Sequence, residues 1–263
     1  MEKKLDISVI SPVFNELENL ETFVESVTAV MNSTNMSWEL IIVDDGSNDG
    51  SSKILKKIGH QENIRSILLS KNYGQTTAIQ AGFDNAVGKY FVTLDSDLQN
   101  DPKDIPMLIQ KLINEELDLV VGWRKDRKDN YFFRNLPSNL ANKLIGTITG
   151  VKLHDYGCSL KAYRAEVLKE VKLYGEMHRF IPAWMATKIP ASKISEIEVT
   201  HHPRIAGESK YGISRTFRVF VDLISVYFFM KFFSRPGHFF GLIGLLLSSF
   251  GALILIYLIS LKL

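Results

Sequence analysis

A single cysteine, Cys158, excludes an intrachain disulfide and a zinc site built from several thiolates, and it fits a reducing compartment. Excess charge of either sign is also missing: 31 Lys+Arg stand against 29 Asp+Glu, so nothing calls for nucleic acid as a partner. No Gly-x-Gly-x-x-Gly follows the first strand-like run, and no Gly-x-x-x-x-Gly-Lys-Ser/Thr occurs. A dinucleotide-dependent dehydrogenase and a P-loop enzyme are therefore unsupported. The opening Met1-Glu-Lys-Lys-Leu-Asp6 lacks the apolar core of a signal peptide. There is no internal repeat and no low-complexity tract. Between Arg235 and Lys262 there is no Asp, Glu, Lys or Arg. Few buried helices are so long and so free of charge, and residues 239–261 can cross a hydrocarbon core of about 30 Å.

What is present reads as strands alternating with helices. Residues 7–11, 38–43, 64–69, 118–122 and 194–201 have the apolar, β-branched content of strands, and 17–31, 51–58 and 75–87 the spacing of helices. The alternation predicts an α/β fold, a mostly parallel sheet with helices on both faces. Ligands in such sheets bind beyond the carboxyl ends of the strands, where strand order reverses. The acidic and glycine-containing loops 12–16, 44–50 and 71–74 all fall at such ends.

The chain is organised around Lys89-Tyr-Phe-Val-Thr-Leu-Asp-Ser-Asp-Leu-Gln99, a buried strand that ends in two carboxylates and an amide at alternate positions. Extended backbone points alternate residues the same way, so Asp95, Asp97 and Gln99 are expected to converge. Such oxygens suit a hard divalent cation, Mg2+ or Mn2+, that also takes phosphate and water ligands. The plainer reading is a polar turn capping a strand. Arg124, Lys125, Arg127, Lys128 and Arg134 form a basic stretch, either a solvated loop or a cationic flap for a phosphate. Asp155 lies in a glycine-containing turn, and Arg204 and Lys210 belong to a basic, glycine-punctuated loop suited to a polyanion. Trp123 reads equally as a sugar platform or as packing. His201 and His202, adjacent on a strand, point to opposite faces and read as structural.

Residues 213–233 carry Phe217, Phe220, Val221, Ile224, Tyr227 and Phe228 at helical spacing, together with Arg215, Arg218 and Lys231. An amphipathic helix in a membrane interface competes there with core packing. Arg204, Lys210, Arg215, Arg218, Lys231 and Arg235 precede the apolar run and only Lys262 follows it, which places the N-terminal domain in the cytoplasm. The expected organisation is a domain over 1–212, juxtamembrane helices over 213–235 and one transmembrane helix over 236–263.

The assembled motifs resemble the family 2 glycosyltransferases of the GT-A fold, and among them the polyprenyl-phosphate glycosyltransferases, the group of dolichol-phosphate mannose synthase and the bacterial undecaprenyl-phosphate sugar transferases. The resemblance rests on Ser11-Pro-Val-Phe-Asn-Glu16, Val43-Asp-Asp-Gly-Ser47, Asn72-Tyr-Gly74, Asp95-Ser-Asp-Leu-Gln99 and Gly207-Glu-Ser-Lys-Tyr-Gly212, in the family's order. The Gln-x-x-Arg-Trp motif of processive synthases is missing. Many bacterial relatives carry two C-terminal membrane helices, where this chain stops after one.

The resemblance implies inverting transfer of a sugar from a nucleotide-sugar donor, UDP-linked by preference, to a polyprenyl phosphate at a lipid membrane, with a homo-oligomer compatible with it. Pro12, Phe14, Glu16 and Asp45 would seat the base and ribose, with Asp44 supporting the loop and Lys71, Asp95, Ser96 and Asp97 completing the donor site. Arg124, Arg134 and Ser138 match positions assigned to the acceptor phosphate, joined by Arg204 and Lys210. Asp155 would orient sugar or acceptor, and His178 and Arg179 would face the donor's phosphate or sugar. Alternatives are GDP-mannose as donor, another lipid acceptor, or a membrane-tethered binding module without turnover.

Overall fold

The computed structural model describes residues 5–125, 145–147, 149–173, 175–203, 221, 224, 225, 227–229, 231, 232 and 235–262. Arg134, Ser138, Arg204 and Lys210 lie outside them. β1 (Ile7–Val13) and β2 (Trp38–Asp44) are buried at every position, as strands covered on both faces must be. Together with β3 (Ile64–Leu68), β4 (Tyr90–Thr93), β5 (Leu119–Trp123), β6 (Lys161–Arg164) and β7 (Ile194–Glu198) they form one sheet in the order β3-β2-β1-β4-β6-β5-β7. All pairs are parallel except those of β6, which runs antiparallel to both β4 and β5. The helices α1 (Leu17–Asn32), α2 (Ser51–Ile58), α3 (Gln75–Asn85) and α4 (Ile105–Asn114) connect the first five strands. Strand order reverses between β1 and β4, so the carboxyl ends of those two strands flank the crevice.

Two boundaries depart from expectation. β4 stops at Thr93, and in place of the extended backbone assumed through Gln99 the chain bends over residues 96–98, with Leu98 at φ 59°. Residues 161–164, not assigned to a strand from the sequence, form the antiparallel β6. Lys161, Ala162 and Tyr163 are all buried, so the polar/apolar alternation that marks a half-exposed strand is absent there.

At the opposite end of the sheet a buried carboxylate fixes the register. Ser8 Oγ donates to Glu39 at 2.6 Å, the Gly88 N–H donates to Ser8 Oγ at 2.9 Å, and the Val87 N–H donates to Glu39 at 3.0 Å. Arg65 completes the set at 3.1 Å. These bonds tie the turn entering β4 to β1 and β2, and a one-residue slip would turn every side chain of β4 to the wrong face.

Among the described residues, four short helical segments lie between β6 and β7: α5 (Ala165–Leu168), a 3-10 turn at Met177–Phe180, α6 (Ile181–Met185) and a 3-10 turn at Ala191–Lys193. Contacts divide the chain into two units, Met1–Thr216 and Phe217–Leu263. Within the second, α7 (Pro236–Lys262) contains the 26 residues Pro236–Leu261, the one helix among the described residues long and apolar enough to cross a membrane. Near its start Phe228 packs against Phe239 and Phe240 with ring centroids 5.2 and 5.4 Å apart. Aromatic clusters of this kind suit a membrane–water boundary.

α3 approaches β1 through Gly82, where an added Cβ would stand 2.3 Å from Cγ2 of Ile10. Gly82→Ala is expected to destabilise the first unit by about 1–3 kcal/mol, read as a lowered thermal unfolding temperature.

Candidate active site

The loops after β1 and β2 are stitched to each other. Asn15, at φ 54°, donates its N–H to Ser47 Oγ at 2.9 Å and accepts the Asn48 N–H through Oδ1 at 2.9 Å. Asp44 closes its own loop, accepting the Ser47 N–H at 3.0 Å and the Ser52 hydroxyl. Asp45, buried, reaches the next loop and accepts the N–H groups of Tyr73 and Gly74 at 2.7 and 2.9 Å. The two loops meet so closely that a Cβ on Gly46, at φ 71°, would fall 2.3 Å from the carbonyl carbon of Lys71. Only glycine allows that approach and that φ. Lys71 lies over the exposed Tyr73 ring at 5.2 Å. Pro12 is buried at the end of β1, and Phe14 and Glu16 are half-buried beyond it. Glu16 accepts from the Asn19 amide at 2.8 Å.

Across the crevice, Ser96 is buried and donates to the Pro12 carbonyl at 3.2 Å, which joins the loop after β4 to the end of β1. Asp95 accepts from the Gln75 side-chain amide in the first turn of α3 at 2.8 Å. Burial first, and the charge of Asp97 second, push the Asp95 carboxyl up to about 6. The Gln99 N–H folds back onto Asp97 at 3.2 Å. Asp95 and Asp97 thus come together through a bend rather than along an extended strand. Two mutually repelling carboxylates beside an amide form an oxygen set that fits a hard divalent cation.

β5 supplies the other wall, and its alternation separates two roles. Arg124, just beyond the strand, makes a two-pronged pair with Asp155, Nε at 2.7 Å and Nη2 at 3.0 Å. Both side chains are largely buried, 12% and 4% exposed. Trp123 faces the other way and stacks on His154, ring centroids 4.2 Å apart. Its aromatic surface is engaged in packing, with Lys125 at 5.4 Å on the ring. His201 and His202 have structural partners: Asn100 bridges to His201, and His202 meets Asp101 at 3.1 Å and the Gln99 carbonyl at 2.8 Å.

Two further groups join the site without a marker in the sequence. Lys161 is fully buried on β6, opposite Thr93, and donates to the Cys158 carbonyl, with its ammonium close enough to act on both Asp95 and Asp155. A lysine inside the run Ser159-Leu-Lys-Ala-Tyr163 is the trace it leaves. Gln75, which orients Asp95, is an ordinary first-turn residue of a helix.

Residues 8–172 match the family described as Glycosyl transferase family 2. The chain belongs to that family. The dodecaprenyl-phosphate galacturonate synthase of Rhizobium johnstonii is 57% identical over 258 residues, 97% of this chain and 76% of that protein. The undecaprenyl-phosphate 4-deoxy-4-formamido-L-arabinose transferase of Aeromonas hydrophila is 38% identical over 221 residues, 83% of this chain and 67% of that protein. Among solved structures, glucosyl-3-phosphoglycerate synthase from Mycobacterium tuberculosis, in complex with Mn2+, UDP and glucosyl-3-phosphoglycerate, superposes with a TM-score of 0.63 at 18% identity. That match covers 86% of this chain and 80% of the other. The glycosyltransferase therefore has the GT-A fold, as its sheet order and site placement also indicate.

Two outcomes are expected of this site. Asp155→Asn leaves the buried Arg124 guanidinium without its counter-charge and should cost about 3–5 kcal/mol, measured as a lowered unfolding temperature. Asp95 is half-protonated at about pH 6 in the folded glycosyltransferase, against about 3.9 when unfolded. The fold therefore binds more protons than the unfolded chain across that window, and stability falls as pH rises from about 4 to 6. In Asp95→Asn that slope flattens, which unfolding temperatures at a series of pH values would detect in metal-free protein.

Proposed function

We propose that the glycosyltransferase moves a sugar from a nucleotide-sugar donor to a polyprenyl phosphate, with inversion at the anomeric carbon and with a divalent cation as cofactor. The observation that carries the acceptor is the 57% identity, over nearly the whole chain, to a protein named for dodecaprenyl-phosphate galacturonate synthesis. The apolar helix Pro236–Leu261 suits an enzyme whose acceptor lies in a bilayer. A UDP-linked donor is favoured by the likeness of residues 155–164 to bacterial members of the family.

Asp95, Asp97 and Gln99 would hold the cation, Mg2+ or Mn2+, which when bound supplies positive charge for the diphosphate leaving group. Pro12 at the end of β1, with Phe14, Glu16, Asp45 and Lys71 on the connected loops beyond β1, β2 and β3, would seat the nucleoside. Asp45 contributes by holding the Tyr73–Gly74 backbone in place, and Ser96 by joining the β4 loop to β1. A phosphate monoester is already anionic at neutral pH, so its oxygen needs no general base to attack. It bonds to the anomeric carbon as the bond to the diphosphate breaks, and the nucleoside diphosphate departs. The difficulty is to bring one polyanion beside another. Arg124 presents Nε and Nη2 to Asp155, so Nη1 would meet the acceptor phosphate. Arg134, Ser138, Arg204 and Lys210 are assigned to the same phosphate by the family resemblance. Residues 1–212 would form the cytoplasmic catalytic domain, 213–235 the interfacial helices and 236–263 the span.

The test is nucleoside diphosphate release by detergent-solubilised protein with undecaprenyl phosphate, across a panel of nucleotide sugars, with Mg2+, with Mn2+ and with EDTA. Release is expected only with lipid and metal together. Asp97→Ala should lower it by about 10²–10³-fold at an unchanged unfolding temperature; full activity in that variant would remove the cation from Asp97.

A further inference from the structure

The first turn of α3 serves the site twice. Gln75 orients Asp95, and the next residue, the buried Thr76, anchors a segment from 102 residues further along the chain. Thr76 Oγ1 and His178 Nδ1 lie 2.7 Å apart, and the His178 N–H donates to the same hydroxyl oxygen at 3.4 Å. Arg179 Nε donates to His178 Nε2 at 3.4 Å. His178 thus works as a bracket between Thr76 and Arg179. Met177 and Phe180, on either side, are buried and fix the turn from beneath. The Arg179 side chain is only 19% exposed, and its carboxylate neighbour among the described residues is Glu176, at 3.5 Å and 51% exposed. That separation is long for a charge-assisted hydrogen bond. A guanidinium has thus been braced, at some loss of side-chain freedom, through His178 to Thr76, the residue next along α3 from the glutamine that meets Asp95.

On the functional reading above, the charges of the reaction already have partners. Asp95 and Asp97 would hold the cation that supplies charge for the donor diphosphate, and Arg124 would meet the acceptor phosphate. A neutral sugar would leave the Arg179 charge with only the long pair to the half-exposed Glu176. A sugar acid would not, because a planar carboxylate matches the guanidinium fork. The 57%-identical relative is named for galacturonate, a sugar that carries such a carboxylate. The geometry points to Arg179 as the residue that reads a carboxylate on the transferred sugar, with His178 as its positioning residue, so that the donor is a nucleoside-diphosphate hexuronic acid.

The experiment compares UDP-galacturonate with UDP-galactose, which has a hydroxymethyl group in place of the carboxylate, in wild type, Arg179→Gln and Arg179→Lys. Polyprenyl phosphate and Mn2+ are present throughout. Wild type is expected to favour the uronate. In Arg179→Gln the ratio of kcat/KM for the two donors falls about 100-fold, the scale of a lost hydrogen bond to a charged group. Arg179→Lys restores part of that ratio, and UDP itself binds all three proteins alike. A wild type that prefers UDP-galactose overturns the assignment. So does a variant that loses both donors equally or binds UDP more weakly, either of which would move Arg179 to the diphosphate. A wild type that turns over no nucleotide sugar overturns the transfer reading instead. Calorimetric affinities for the two donors then decide Arg179 separately: a uronate preference lost in Arg179→Gln supports it, and equal affinities in wild type overturn it.

Discussion

Asp95 and Asp97 leave the end of β4 close enough for the charge on one to raise the pKa of the other, and much of the surrounding structure answers that repulsion. Gln75 donates to Asp95 from the start of α3, and the ammonium of Lys161 acts on it from β6. Ser96, between the two carboxylates, is bonded across the crevice to the Pro12 carbonyl, so the peptide that carries them cannot relax outward. The price is a left-handed backbone at Leu98, a residue with no intrinsic liking for it. Strain of this sort persists where neighbouring contacts over-determine it, and it gathers at functional positions.

Positive charge is distributed to match. Arg124 is committed to Asp155, Lys161 is buried on β6 where it acts on Asp95, and Arg179 is bracketed by His178. Each cation enters from a different element, and each is held by bonds made within the protein. For the proposed reaction between two phosphate-bearing substrates such prior arrangement is an advantage, because little reorganisation remains for the reaction itself.

The α/β architecture and the acidic strand end were legible because they are local. Apolar runs mark β1, β2 and β5, and Asp95 and Asp97 are two residues apart. The extended geometry assumed for Asp95, Asp97 and Gln99 was not what brings the carboxylates together, since the strand ends at Thr93 and a bend does that work. β6 escaped notice because burial on both faces erased its alternation, even at Lys161. Trp123 stayed ambiguous until its stacking on His154 was visible. What sequence could not reach was pairing at a distance: Tyr73 and Gly74 with Asp45, Arg124 with Asp155, Thr76 with His178. Residue type alone gives Asp45 and Asp155 the look of ligands, whereas their bonds also make them structural fasteners.

The sheet order carries a consequence for biosynthesis. β1 to β4 pair among themselves through connections closed by residue 93, so the portion with Asp45 and the base of Asp95 can assemble while later residues are still being added. The remaining part waits for the C-terminal edge. β5 is flanked by β6 and β7, and β7 begins only at Ile194. A nascent chain halted before that point would display β5 with an unpaired edge, an apolar template for aggregation. Translation through residues 194–198 is thus the step that closes the exposed edge of β5, a short distance before the apolar helix at Pro236 emerges.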